Sequence, residues 1–363
     1  MADLNPPVRF DPSVEHVEDH EAETIRALTD ALREIQEITA RDEKRGLRGV
    51  HAKSHALVEG RLEIAAGLPP ELAHGLFATA RQHDVLLRFS TNPGDILDDD
   101  IRVPRGLAIK VLDVAGERLP DAEGRTQDFV LVNGPAFATP GTRQFLANLQ
   151  LLAKTTDEAE WAKKGLSAVL RGAEAALEAV GGQSSKLVTL GGAPNVHPLG
   201  ETYFSQTPFR FGDLIAKFSV APVSANLKTL EKQPVDLSEP ENAIRRAMAA
   251  VADQEWVFEL RVQLCRDLAA MPIEDASVVW DEKESPFQTV ATLRVPPQET
   301  WTYERSQAMD DGLRFSIWTG LAAHQPLGQV NRARKAPYRA SAQFRAGVNG
   351  CPIHEPDRVP AMA

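Results

Sequence analysis

Apolar residues recur at Ile25, Leu28, Leu32, Ile35 and Ile38, three or four positions apart. That spacing predicts an amphipathic helix over 21–40, inside an N-terminal helical span of 19–41. The pattern then shortens. Leu57, Leu62 and Ile64 mark a first strand, and three β-branched, strand-length runs follow at 85–91, 107–112 and 129–133, bounded by Gly, Pro and Asp. Helical spacing returns over 142–152 and 158–180, the latter closed by Gly181-Gly182. Further on, Trp256, Phe258, Leu260, Val262 and Leu264 alternate with polar neighbours, as a half-buried strand requires. A last strand is expected over 287–295, ended by Pro296-Pro297. Strands in two groups, with helices between and after them, indicate an α+β chain rather than a parallel βαβ series.

Composition narrows the function. A net charge of −11 and the lack of a broad basic surface argue against nucleic acid or an anionic membrane as partner. No run of about 18 apolar residues and no basic-then-apolar leader is present, so a cytoplasmic protein without a membrane partner is expected. Two cysteines, Cys265 and Cys351, make no disulfide framework, and no CxxC pair suggests zinc. No phosphate-binding glycine motif occurs.

Candidate chemistry lies near the C-terminus. On a helix over 331–347, Arg334 and Tyr338 are one turn apart and Arg345 follows on the same face. A guanidinium so placed favours the phenolate, lowering a pKa of about 10 and making the tyrosine an anionic ligand for ferric ion. The same pattern also fits a solvated basic helix with one packed tyrosine. Pro337, just before the tyrosine, removes a helical hydrogen bond and is expected to kink that helix. His55 and His83 read as packed strand residues. Asp98-Asp99-Asp100 beside Arg102 and Arg105 reads as a solvated loop or a structural ion-pair cluster.

Five motifs then occur in order: Val50-His51-Ala52-Lys53, Arg88-Phe89-Ser90-Thr91, Arg102-Val103-Pro104-Arg105-Gly106-Leu107-Ala108-Ile109-Lys110, Asn133-Gly134-Pro135-Ala136-Phe137, and Arg334-x-x-x-Tyr338 with Arg345-x-Gly347-x-Asn349. Together they resemble the haem catalase family over residues 45–350, with a short tail at 351–363. The resemblance implies one catalase-like domain, 1–363: an antiparallel β-barrel core with surrounding helices, holding haem b, with peroxide and a small-molecule reductant as partners. It implies His51 as the distal acid–base, Asn133 as the amide that positions peroxide, and Ser90 as the hydroxyl bonded to the histidine ring. Arg48, Arg88 and Arg345 would meet the haem propionates, with Val50 and Phe137 beside the cofactor. Tyr338 would ligate the iron and Arg334 would keep it ionised.

Val103 stands where the family has a channel aspartate, and Ala138 where it has a second phenylalanine, which predicts a wider site less tuned to hydrogen peroxide. The expected function is peroxide breakdown or peroxide-driven oxidation of small donors, in a dimer or monomer. The alternatives are a fatty-acid hydroperoxide rearranging enzyme, disfavoured by Val50 in place of threonine, and a non-catalytic haem-binding protein.

Overall fold

The computed structural model describes residues 4–155 and 194–360. The helix expected over 158–180 lies outside the described residues. Strands β1 (Ser54–Ile64), β2 (Gln82–Thr91), β3 (Arg105–Val111) and β4 (Gln127–Val132) form an antiparallel meander. Two-residue β5 (Tyr203–Phe204) pairs with both β4 and β7 (Leu214–Pro222). Strand β8 (Trp256–Leu264) follows β7, and β9 (Gln288–Val295) returns to β1. The sheet therefore closes into an eight-strand antiparallel barrel, with β6 (Phe209–Phe211) folded as a short hairpin onto β7. Closure leaves no edge among these eight strands.

Alternation decides which side chains fill the barrel. Leu87, Phe89, Leu107, Ile109, Phe129 and Leu131 point into one buried core with Phe218 and Phe258. Their neighbours Arg88, Ser90, Gly106, Ala108 and Val130 lie on the outer face and line a cavity there. Strand β7 was not anticipated, because nearly every one of its positions is buried and no polar alternation marks it.

Three helices cover this outer face. Helix α1 (Glu21–Glu43) packs Leu28, Leu32 and Ile35 against Leu149 of α2 (Thr142–Thr155) and Ala333 of the long C-terminal helix, Gln329–Asn349. A short helix, α3 (Ala243–Ala249), lies against the chain at β1, where Arg245 donates to the Ser54 carbonyl. The C-terminal helix, α4, runs on through Pro337 and stops at Gly350, whose φ of +61° suits glycine. Pro337 is buried within it, and the helix is assigned continuously from Gln329 to Asn349. At the start of α4 Arg332 is clasped by Glu15, Glu21 and Glu274 at 2.7–2.9 Å, which ties the helix to the N-terminal segment.

The acidic run before β3 is structural rather than free. Asp99 is buried, accepts from Lys53 Nζ at 2.7 Å and also accepts the Ile244 backbone N–H at 2.8 Å. His55 bonds Thr91 at 3.2 Å and His83 bonds the Leu112 carbonyl at 2.9 Å, consistent with packed strand histidines. Among the described residues, no helix is long and apolar enough to cross a membrane.

Candidate active site

A cavity of about 700 Å³, measured out to its open mouth, lies between the outer face of β2–β4 and helices α1 and α4. From the barrel side come Val50, His51, Arg88, Ser90, Gly106 and Val130; from α4 come Pro337, Tyr338, Ser341 and Arg345.

His51 sits just before β1 with a left-handed φ of +54°, unusual for a residue with a Cβ, and its backbone N–H donates to Asn92 O at 2.6 Å. Its imidazole lies close against Gly106, where an added Cβ would approach Cε1 to 2.6 Å and Nδ1 to 2.7 Å. Any larger residue at 106 would therefore displace the ring. Nδ1 is 3.1 Å from Ser90 Oγ. In the tautomer whose Nδ1–H donates to Ser90, Nε2 keeps a free lone pair. Burial first, and then the nearby Arg88, Arg334 and Arg48 charges, lower the His51 pKa to about 3. The ring is thus neutral throughout the physiological range.

At one end of the cavity three arginines converge. Arg88 Nε donates to Asp310 Oδ1 at 2.6 Å, and Arg48 lies 3.7 Å from the same oxygen. Arg48 also donates to the Asp310 and Leu313 carbonyls at 3.2 Å, and Arg345 to the same two carbonyls. These acceptors belong to a π-helical turn, Gln307–Asp311, and the residues just after it; such turns recur at functional sites. Burial raises the Asp310 carboxyl, but the Arg88 and Arg48 charges, with hydrogen bonds from Arg88 and Ser54, outweigh it and hold the group below the usual carboxylate range. Arg345 is pulled down to about 10, first by burial and also by Arg88, against the pull of Asp310. Its Nε is buried without a hydrogen-bond partner.

Seven residues singled out in the sequence therefore share this cavity: Arg48, Val50, His51, Arg88, Ser90, Tyr338 and Arg345. Three do not. Asn133 lies just past the end of β4, where its Oδ1 accepts the Arg105 backbone N–H at 2.8 Å and its Nδ2 donates to Glu201 at 2.7 Å. The wall on that strand is Val130 and Leu131, not an amide. Arg334 does not hydrogen-bond Tyr338; its guanidinium lies 5.8 Å from the Phe137 ring, and Nη1 reaches Asn331 Oδ1 at 3.4 Å. Phe137 stacks edge-on against Phe145 at 5.0 Å, outside the lining. Val103 and Ala138 are also absent from the lining. Residues that the sequence did not flag include Leu32, Arg314, Phe315 and Ser341 on the wall, and Asp310 behind it.

Among the described residues, no group of three or more His, Cys, Asp or Glu is placed to hold a metal ion. The residues present do suit an anionic, iron-bearing macrocycle. A phenol and an imidazole line one cavity, glycine leaves room for the imidazole, and surplus guanidinium groups with an unpartnered Nε suit carboxylates at one end.

No protein-family model matches the chain, and no curated protein matches it. Among solved structures it resembles a fungal catalase, at 18% identity and a TM-score of 0.59, covering 86% of this chain and 62% of that one. It also resembles catalase A from Saccharomyces cerevisiae, at 16% identity and 0.57, covering 95% and 68% respectively. The chain thus spans less than two thirds of the fungal catalase's length. Strand order, closure and the flanking helices give this chain a catalase-like α+β fold, an eight-strand antiparallel barrel with helices around it.

Proposed function

We propose that the chain is a haem-dependent oxidoreductase that uses peroxide to oxidise small organic donors or breaks peroxide down. The observation that carries this reading is the presence of His51 and Tyr338 in one cavity, with Arg48, Arg88 and Arg345 gathered at its end. Tyr338 would hold the iron and the three arginines the propionates. Haem, when bound, supplies the redox-active iron at which a peroxide O–O bond is cleaved.

The protein's own part is proton handling and positioning. Neutral His51 takes the proton of the incoming peroxide on its free ring nitrogen and returns it to the departing oxygen, which leaves as water or an alcohol. Ser90 can accept from Nδ1–H in the tautomer that allows this, and Gly106 leaves room for the ring. Because the pKa is about 3, the base is ready without prior deprotonation at neutral pH.

Titration of the protein with ferric haem tests the reading. Saturable uptake near one per chain is expected, with an absorption band that Tyr338→Phe abolishes. His51→Ala should keep the haem and lose peroxide turnover by about 10²–10⁴-fold. A wild-type protein that takes up no haem, or a phenylalanine variant with an unchanged spectrum, overturns it.

A further inference from the structure

Resting on the haem reading, we propose that the peroxide this cavity takes is an organic hydroperoxide with an apolar group, and that Val132 is the residue that selects it. The register of the barrel carries the argument. Gly106, which the His51 ring closely approaches, pairs with Val132, and Ala108 pairs with Val130. Directly paired residues of an antiparallel sheet project from the same face. Phe129 and Leu131 point into the barrel core, so Val130 and Val132 occupy the cavity face beside the histidine.

An amide would be expected on that face if a small polar peroxide had to be oriented there. The nearby amide, Asn133, is instead committed to Arg105 and Glu201. The polar groups that reach the cavity from the barrel side are also engaged. Ser90 Oγ is engaged with His51, and the guanidinium groups are drawn to Asp310 and its neighbouring carbonyls at one end. Around His51 the wall is Val50, Val130 and Leu32, and the register puts Val132 on the same sheet face, opposite Gly106.

Hydrogen peroxide exposes a hydrogen-bonding group at both oxygens, and on this wall one of them would be left unmet, an unfavourable arrangement in a buried site. A hydroperoxide ROOH presents one such end and an apolar body that the valines and leucine can cover. The reaction is then ROOH + 2 ArOH → ROH + H₂O + 2 ArO•. The O–O bond breaks, and His51 moves the hydroperoxide proton to the alkoxide oxygen, which leaves as ROH. Two phenolic donors supply two electrons and two protons, with which the other oxygen leaves as water.

The test uses haem-loaded protein with cumene hydroperoxide or hydrogen peroxide, each with excess phenolic donor. It is paired with an equilibrium readout, the dissociation constant of 2-phenyl-2-propanol read from the shift it causes in the haem absorption band. Wild type should turn over cumene hydroperoxide at least about tenfold faster than hydrogen peroxide, the scale on which an apolar pocket discriminates. Val132→Asn should weaken alcohol binding about tenfold and move the rate ratio toward hydrogen peroxide. Val132→Thr, which keeps the branched shape, should move both in the same direction.

Equal or faster turnover of hydrogen peroxide by wild type overturns the inference while leaving the haem reading standing. So do variants that load haem normally yet keep both the alcohol affinity and the rate ratio. A wild-type protein without haem absorption overturns the haem reading, and this inference with it.

Discussion

Two buried ionic clusters lie on the outer face of the barrel, and they are built on opposite principles. In the first, Lys110 Nζ meets Asp128 at 2.8 and 2.9 Å and Glu355 at 2.6 Å. Glu355 also accepts from Thr126 at 2.8 Å and Arg314 at 2.9 Å, while Asp128 accepts the Ser316 backbone N–H. Two cations face two carboxylates and each is hydrogen-bonded. In the second, Arg88 and Arg48 share one carboxylate, Asp310, while Arg345 relies on backbone carbonyls. The contrast extends to the acids. Asp128 is pushed up by burial and by Glu355, against Lys110, whereas Asp310 is held down by its arginines. A cluster whose charges cancel holds the fold together. One with surplus positive charge and an unpartnered guanidinium N–H is arranged to receive an anion.

The largest effect that would separate the two is on stability. Lys110→Met leaves Asp128 buried without its cation and Glu355 with Arg314 alone, and should lower unfolding free energy by about 3–5 kcal/mol in urea titrations. A loss below about 1 kcal/mol would mean that the balanced cluster is not structural. Arg345→Met should behave in the opposite way. Its partners are carbonyls, so stability should change by about 1 kcal/mol or less, while loss of a charged hydrogen bond to the cofactor should weaken haem binding by about 1.5–3 kcal/mol. Unchanged haem affinity would show that the surplus charge serves something else.

Next in size is a pH effect. His51 and His324 both have folded pKa values lowered to about 3, from burial first. The unfolded chain, protonating near 6.5, then binds more protons than the folded one between about pH 6.5 and 3. Stability should therefore fall as pH drops through that window, by at most about 1.4 kcal/mol per pH unit for each histidine. Thermal unfolding in a buffer series would read it, and His324→Asn should reduce the slope. For the same reason the His51-dependent peroxide step should show no break near pH 6.5. The smallest effect is expected for Cys351→Ala: this residue sits in the tail with its thiol near the Pro352 carbonyl, and stability and haem spectrum should both stay unchanged.

Much of this arrangement was legible in the chain because periodicity reports on faces. Strand β8 alternates cleanly, and its expected limits, 256–264, are those observed. Helix α1 showed its buried stripe, although it runs three residues further, to Glu43. Strand β7 was hidden because burial on both faces erases alternation, and β5 and β6 are too short to show any.

At the site, motif order brought out seven of the cavity residues but misplaced the amide. Asn133 lies one position beyond the cavity-facing Val132, and in a strand one position is the difference between two faces. The alternation of Phe129 and Leu131 already carried that signal. Arg334 was assigned to Tyr338 from helical spacing alone, whereas its side chain turns toward Phe137 and Asn331. Asp310 gave no local signal at all. Its role depends on Arg88, 222 positions earlier, and on a π-helical turn that no periodicity announces.

The central claim is that one cavity presents Tyr338 and His51 to a single haem with the arginines at its propionates. A crystal structure of the protein grown with ferric haem tests it most directly. The account predicts iron ligated by the Tyr338 oxygen, the His51 ring over the opposite haem face, and carboxylates bonded to Arg48, Arg88 and Arg345. Haem bound outside this cavity, or iron ligated by a different side chain, would contradict it.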